Sequence, residues 1–164
     1  MYLLDTAVVL ELRKAKAGRT DAGLVSWASG MARQNLFLSA LSLLELENTA
    51  ARTEKQDKAA GAALRAWVGD QVLRAFEGRI LPVDTAVVRR RAQLGLTDTR
   101  DALLAATAIE HGLTLVTRQT AAYKGARVKL FNPWGYTPED EEDADWRQAA
   151  RTGPLWLKNL FVRA

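Results

Sequence analysis

The chain has no cysteine, one histidine and only four prolines among its 164 residues. Without cysteine there can be no disulfide framework, no thiolate ligation of zinc or iron–sulfur clusters, and no thiol nucleophile. A single histidine rules out acid–base catalysis by two imidazoles and withholds the usual nitrogen ligands of a zinc site. No stretch approaches the roughly 18 uninterrupted apolar residues of a membrane span. The N-terminal MYLLDTAVVLELRK is broken by Asp5 and lacks the basic-then-apolar order and small-residue cleavage site of a signal peptide. A soluble protein of the reducing cytoplasm, without membrane association, is therefore expected.

What the chain does have is apolar material, 48% of its residues, enough for one domain with a genuine core. The formal charge of +4 is unevenly spread. From Thr137 onward there are six acidic residues (Glu139, Asp140, Glu141, Glu142, Asp143 and Asp145) and four basic ones, which leaves 19 basic against 13 acidic residues in the rest. A basic body suits a polyanionic partner, although a solvated surface carries such an excess equally well.

Hydrophobic periodicity alternates between short β-like runs and longer helical stretches, the signature of a parallel sheet covered by helices on both faces. Strands are expected at about 2–5, 35–39, 79–83, 113–118 and 127–131, and helices near 7–15, 23–33, 42–55, 58–76, 85–94 and 99–111. The last helix is closed by His111-Gly112. The expected fold is α/β, with a central parallel sheet of about five strands whose order the pattern does not reveal. After Asn132-Pro133-Trp134-Gly135 the character changes, so the reading divides the chain into a body over 1–135 and an extension over 136–164. That extension has an acidic linker and an apolar helical arm containing Trp146, Trp156, Leu160 and Phe161.

With nitrogen and sulfur donors nearly absent, carboxylates must carry any chemistry. Several acids meeting at one point need a compensating cation, and oxygen-only clusters select hard ions such as Mg²⁺ or Mn²⁺. Open α/β sheets place their sites at the carboxyl ends of strands. Asp5 ends the first apolar strand, where it could enter such a crevice or simply cap the following helix. Asp101 stands three residues after Asp98, a spacing that a capping-box variant explains equally well. Glu45 and Glu47 lie among leucines in FLSALSLLELENTAAR, and periodicity does not choose between them. His111 reads as a helix-end dipole partner, and Arg89-Arg90-Arg91 as a solvated helix face.

Five blocks in order, YLLDT at 2–6, LFLSALSLLELE at 36–47, GRILPVDTAVV at 78–88, DALLAATAIEHGLTLVTR at 101–118 and VKLFNPW at 128–134, resemble the PIN-domain toxins of bacterial toxin–antitoxin systems, specifically the VapC and FitB-like group. The resemblance covers about 1–135 and implies a single PIN-like domain. Its acidic set falls on Asp5, Glu45 and Asp101, which selects Glu45 over Glu47. In the family these residues hold one or two divalent ions that activate water for hydrolysis of RNA. The resemblance further implies a homodimer and a small VapB/FitA-like antitoxin, through which alone DNA would be contacted.

Two positions depart from the pattern. Gln119 stands where an acid or asparagine usually follows the Thr-Arg of the fourth strand, and Ala7 where a polar residue usually follows Asp-Thr. They put a second metal in question and admit a rival reading, a catalytically weakened PIN domain serving as a nucleic-acid or protein-binding module. Thr117, Arg118 and Gln119, at the end of the fourth strand, are the expected substrate contacts.

Overall fold

Tyr2, Leu3 and Leu4 form β1 (Tyr2–Leu4), the middle strand of a five-stranded parallel sheet of order β3-β2-β1-β4-β5. The other strands are β2 (Leu36–Ser39), β3 (Ile80–Leu81), β4 (Thr114–Val116) and β5 (Leu130–Phe131). The computed structural model describes residues 1–137, so all but the first two residues of the extension expected at 136–164 lie outside the described residues. β3 and β5 pair over only two residues each, shorter than the runs expected from the sequence.

Both faces of the sheet are buried, which is why its strands read as continuous apolar runs rather than alternating ones. Leu4, Leu36, Leu38, Val116, Ile80 and Phe131 face one core; Leu3, Phe37, Leu81, Leu115 and Leu130 face the other. The first core is covered by α1 (Thr6–Arg13), α2 (Ala22–Gly30), α3 (Ala40–Gln56), α4 (Lys58–Trp67) and α5 (Leu73–Ala75). The second is covered chiefly by α7 (Thr99–Glu110), against which α6 (Thr85–Ala92) packs. Tyr136, the first residue of the expected extension, packs against the first core and meets Phe131 edge-on at 6.3 Å. No helix among the described residues is long and apolar enough to cross a membrane.

Helix ends follow local chemistry. Asp21, Asp57, Asp84 and Asp98 each accept a bond from a first-turn amide of the helix they precede. Past α7, Gly112 adopts φ 64°, Gly112 N bonds Ile109 O at 3.1 Å and Leu113 N bonds Ala108 O at 2.8 Å, the paired bonds of a glycine-terminated helix. The helix expected over 58–76 is not uniform. A π-helical turn over Val68–Val72 separates α4 from α5, and its wider winding lets Trp67, Val68 and Val72 all face the core.

The α3–α4 hairpin closes on Gly61, where a β-carbon would lie 2.3 Å from the Cα of Glu54. Helix propensity alone would make Gly61→Ala stabilising by ~1 kcal/mol. The backbone clash reverses the sign, and we expect Gly61→Ala to lower the free energy of unfolding by about 1–3 kcal/mol in urea titration. Gly69→Ala, at an exposed position with open space around its Cα, is the control and should not destabilise.

Candidate active site

From β1 the chain moves outward through β2 to β3, then returns to the opposite side of β1 to form β4. β1 and β4 thus flank the topological switch point, where an open α/β sheet leaves a crevice beyond its carboxyl ends. Asp5 follows β1 there and Thr117 follows β4. The amide of Asp5 bonds Val116 O at 3.0 Å, which extends the strand pairing to the edge of the crevice and fixes the Asp5 backbone.

Asp5 occupies the N-cap position of α1, yet its side chain makes no capping bond. The carboxylate is 3% exposed and turns into the crevice, where Oδ2 accepts from the buried Thr117 hydroxyl at 2.8 Å. Its Oδ1 accepts from Arg100 Nη2. Glu45, on the second turn of α3, accepts from Arg100 through both carboxylate oxygens, from Nε at 2.7 Å and from Nη2 at 3.1 Å, and also from the hydroxyl of Thr6. Glu47 instead lies 3.9 Å from Arg65 on the outer surface, so the structure separates the two glutamates that periodicity left equivalent. Asp101 Oδ1 accepts from Arg100 Nη1 at 2.8 Å and from the Tyr123 hydroxyl at 3.3 Å. Asp98 caps α7 through the Asp101 amide at 2.8 Å, which leaves the Asp101 carboxylate free for the crevice.

Three acids from three distant segments therefore surround one guanidinium. Among the described residues no group of three or more acidic or histidine side chains is spaced as a metal shell; the carboxylates stand apart by the width of the Arg100 fork. Their chemistry still fits a hard divalent ion, since the donors are all oxygen and the three carboxylates together carry more negative charge than one guanidinium offsets. Burial opposes the charge on Glu45, but bonds from Arg100 and Thr6 outweigh it and hold its pKa below the ordinary glutamate value. Burial likewise opposes the charge on Arg100, but its bonds to Glu45, Asp101 and Asp5 together with the field of Asp5 outweigh it and raise its pKa above the ordinary arginine value. Burial, then the charges of Asp5 and Asp101, raise the pKa of Tyr123 and keep the phenol protonated as a donor.

The other expected contacts are placed differently. Thr117 is fully buried and its hydroxyl is committed to Asp5. Arg118 is exposed, with its guanidinium carbon 5.7 Å from the centre of the Trp134 ring. Gln119 donates its backbone amide to Thr117 Oγ1 at 3.1 Å, and no hydrogen bond links its side chain to the three acids. His111 is exposed at the end of α7. Beside the acids runs an open groove of about 630 Å³ lined by Thr6, Asn48, Thr49, Arg52, Lys55 and Arg100, among others. Sequence reasoning missed Thr6, Tyr123 and Arg100. Arg100 had left one signal, since a cation in the first turn of a helix opposes the helix dipole and needs a reason to be there.

A parallel sheet with acids gathered at its switch point defines a class of open-sheet α/β protein whose site lies in the crevice at the carboxyl ends of the strands. A family model described as the PIN domain matches residues 2–127, and the chain belongs to that family, in its VapC and FitB-like group. It is 32% identical over 149 residues to VapC ribonuclease Y4jK of Sinorhizobium fredii, an alignment covering 82% of this chain and 98% of that one. It is 32% identical over 142 residues to toxin FitB of Neisseria gonorrhoeae, covering 82% and 99%. The crystal structure of FitAcB from that organism superposes with a TM-score of 0.73, covering 82% of this chain and 99% of that chain.

Proposed function

We propose that this chain is the toxin of a type II toxin–antitoxin module, a cytoplasmic Mg²⁺- or Mn²⁺-dependent endoribonuclease. One observation carries the reading: Asp5 just past β1, Glu45 of α3 and Asp101 of α7 all bind the Arg100 guanidinium at the switch point. Relatives named as a ribonuclease and a toxin, at 32% identity over nearly their full lengths, support it. The partners proposed with it are a VapB/FitA-like antitoxin and a second copy of the chain, with operator DNA contacted through the antitoxin; similarity to the FitAB structure bound to a DNA fragment, at 30% identity and a TM-score of 0.72, supports that assignment.

Asp5 and Asp101 would hold the ion, and Glu45 would complete its ligation or orient the attacking water. Bound there, a divalent ion supplies acidity to water and offsets charge in the phosphodiester transition state. The protein's own groups do the positioning. Thr117 fixes the rotamer of Asp5, Thr6 holds Glu45, and Tyr123, kept protonated, holds Asp101. Glu45, an acceptor at the edge of the groove, can take the proton that water releases. Arg52 and Lys55 place positive charge along the groove where an RNA backbone would run. Arg118 and Gln119, exposed beyond β4, remain proposed substrate contacts.

The purified chain should cleave single-stranded RNA with Mg²⁺ or Mn²⁺ and lose that activity in EDTA, followed by gel electrophoresis of labelled RNA. Cleavage that persists in EDTA, or none with either metal, counts against the reading. A second reading is a binding module with little activity, and the observation that favours it is the guanidinium standing among the acids; RNA binding without metal uptake or cleavage would support it.

A further inference from the structure

Arg100 binds all three acids at once, from the position between them. Its Nε and Nη2 engage Glu45, Nη2 also engages Asp5, and Nη1 engages Asp101. Charge-assisted forks of this kind are the strongest hydrogen bonds a surface crevice offers. Each acid also has a separate neutral anchor from a different direction: Thr117 on Asp5, Thr6 on Glu45 and Tyr123 on Asp101. Those hydroxyls can keep the carboxylates oriented when the guanidinium is elsewhere. Arg100 also has somewhere to go, because its side chain is 30% exposed and lines the open groove beside Thr6 and Asn48.

We propose that Arg100 is an internal counter-cation that competes with divalent metal for the three acids, so that the site loads only when this side chain swings out into the groove. The inference rests on the metal-site reading and adds regulation of that site by a residue of the same chain. A site that must first be vacated binds with an affinity reduced by the fraction of time it is open. Arg100 engages carboxylate oxygens of all three acids that a metal held by them would need, so Arg100 and metal compete for the same donors.

The test is calorimetric titration of Mn²⁺ into the full-length wild-type chain, Arg100→Ala and Arg100→Lys. Arg100→Ala should bind Mn²⁺ about 10- to 100-fold more tightly than wild type, the range expected if the open state is populated at about 1–10%. Arg100→Lys keeps the charge but not the fork, so its affinity should fall between the two; it carries the test if the alanine variant folds poorly. Millimolar guanidinium chloride should weaken Mn²⁺ binding to Arg100→Ala beyond the effect of potassium chloride at equal ionic strength, because the free ion refills the space. In thermal melts without metal, Arg100→Ala should melt lower than wild type, since three carboxylates are left uncompensated, and Mn²⁺ should raise its melting temperature more than that of wild type. Equal, measurable Mn²⁺ affinity in all three proteins would overturn the role of Arg100 and leave the metal site standing. Absence of Mn²⁺ binding in all three would overturn the metal site, and this inference with it.

Discussion

Asp5→Asn should reduce metal-dependent RNA cleavage by about 100- to 1,000-fold, the several kcal/mol that a metal site contributes to a phosphodiester transition state. Asparagine keeps the shape of the side chain, and its carbonyl can still accept from Thr117, so the crevice should survive the change. What is lost is the most deeply buried of the three charges, 3% exposed and anchored at the end of the central strand. Unchanged circular dichroism beside lost cleavage is the expected pair of results. Asp101→Asn should behave alike, because Tyr123 can still donate to the amide oxygen. Cleavage undiminished in either purified variant would remove these residues from the catalytic set.

The largest effect on stability is expected at Trp27. This residue is 1% exposed and fixes α2 to the sheet through ring contacts with Tyr2 at 5.4 Å and Phe131 at 5.4 Å. Truncation to alanine opens a cavity beneath β1 and β5 and should cost about 3–5 kcal/mol of unfolding free energy in urea. Trp27→Phe should cost much less, because Nε1 of the indole has no hydrogen-bond partner among the described residues and phenylalanine keeps much of the ring contact. Equal losses in the two variants would mean that a polar contact of the indole, rather than its volume, holds α2 in place. Since β1 delivers Asp5 to the crevice, Trp27→Ala should also lower cleavage at temperatures near its reduced melting point.

The alternation of strands and helices was readable because burial of both sheet faces imposes apolar runs on the strands and a one-sided stripe on the helices. Asp98 and the His111-Gly112 ending were readable for a related reason, since capping involves residues three or four apart. The break between α4 and α5 was not, because a π turn adds one residue to the winding without altering local composition. Arg100 was hidden among ordinary surface arginines, and Thr117 looked like a free hydroxyl at a strand end until its burial against Asp5 was seen.

By itself the sequence determined the chemistry available to this protein: oxygen donors without cysteine and with one histidine, a parallel sheet buried on both faces, and acids near the carboxyl ends of its strands. Only the tertiary structure decided that β4 lies beside β1, that the Thr117 hydroxyl is buried against Asp5, and that Arg100 stands between the three acids. Periodicity and capping are written in neighbouring residues, whereas these three facts depend on how segments tens of residues apart cross one another, which the packing of the two cores sets.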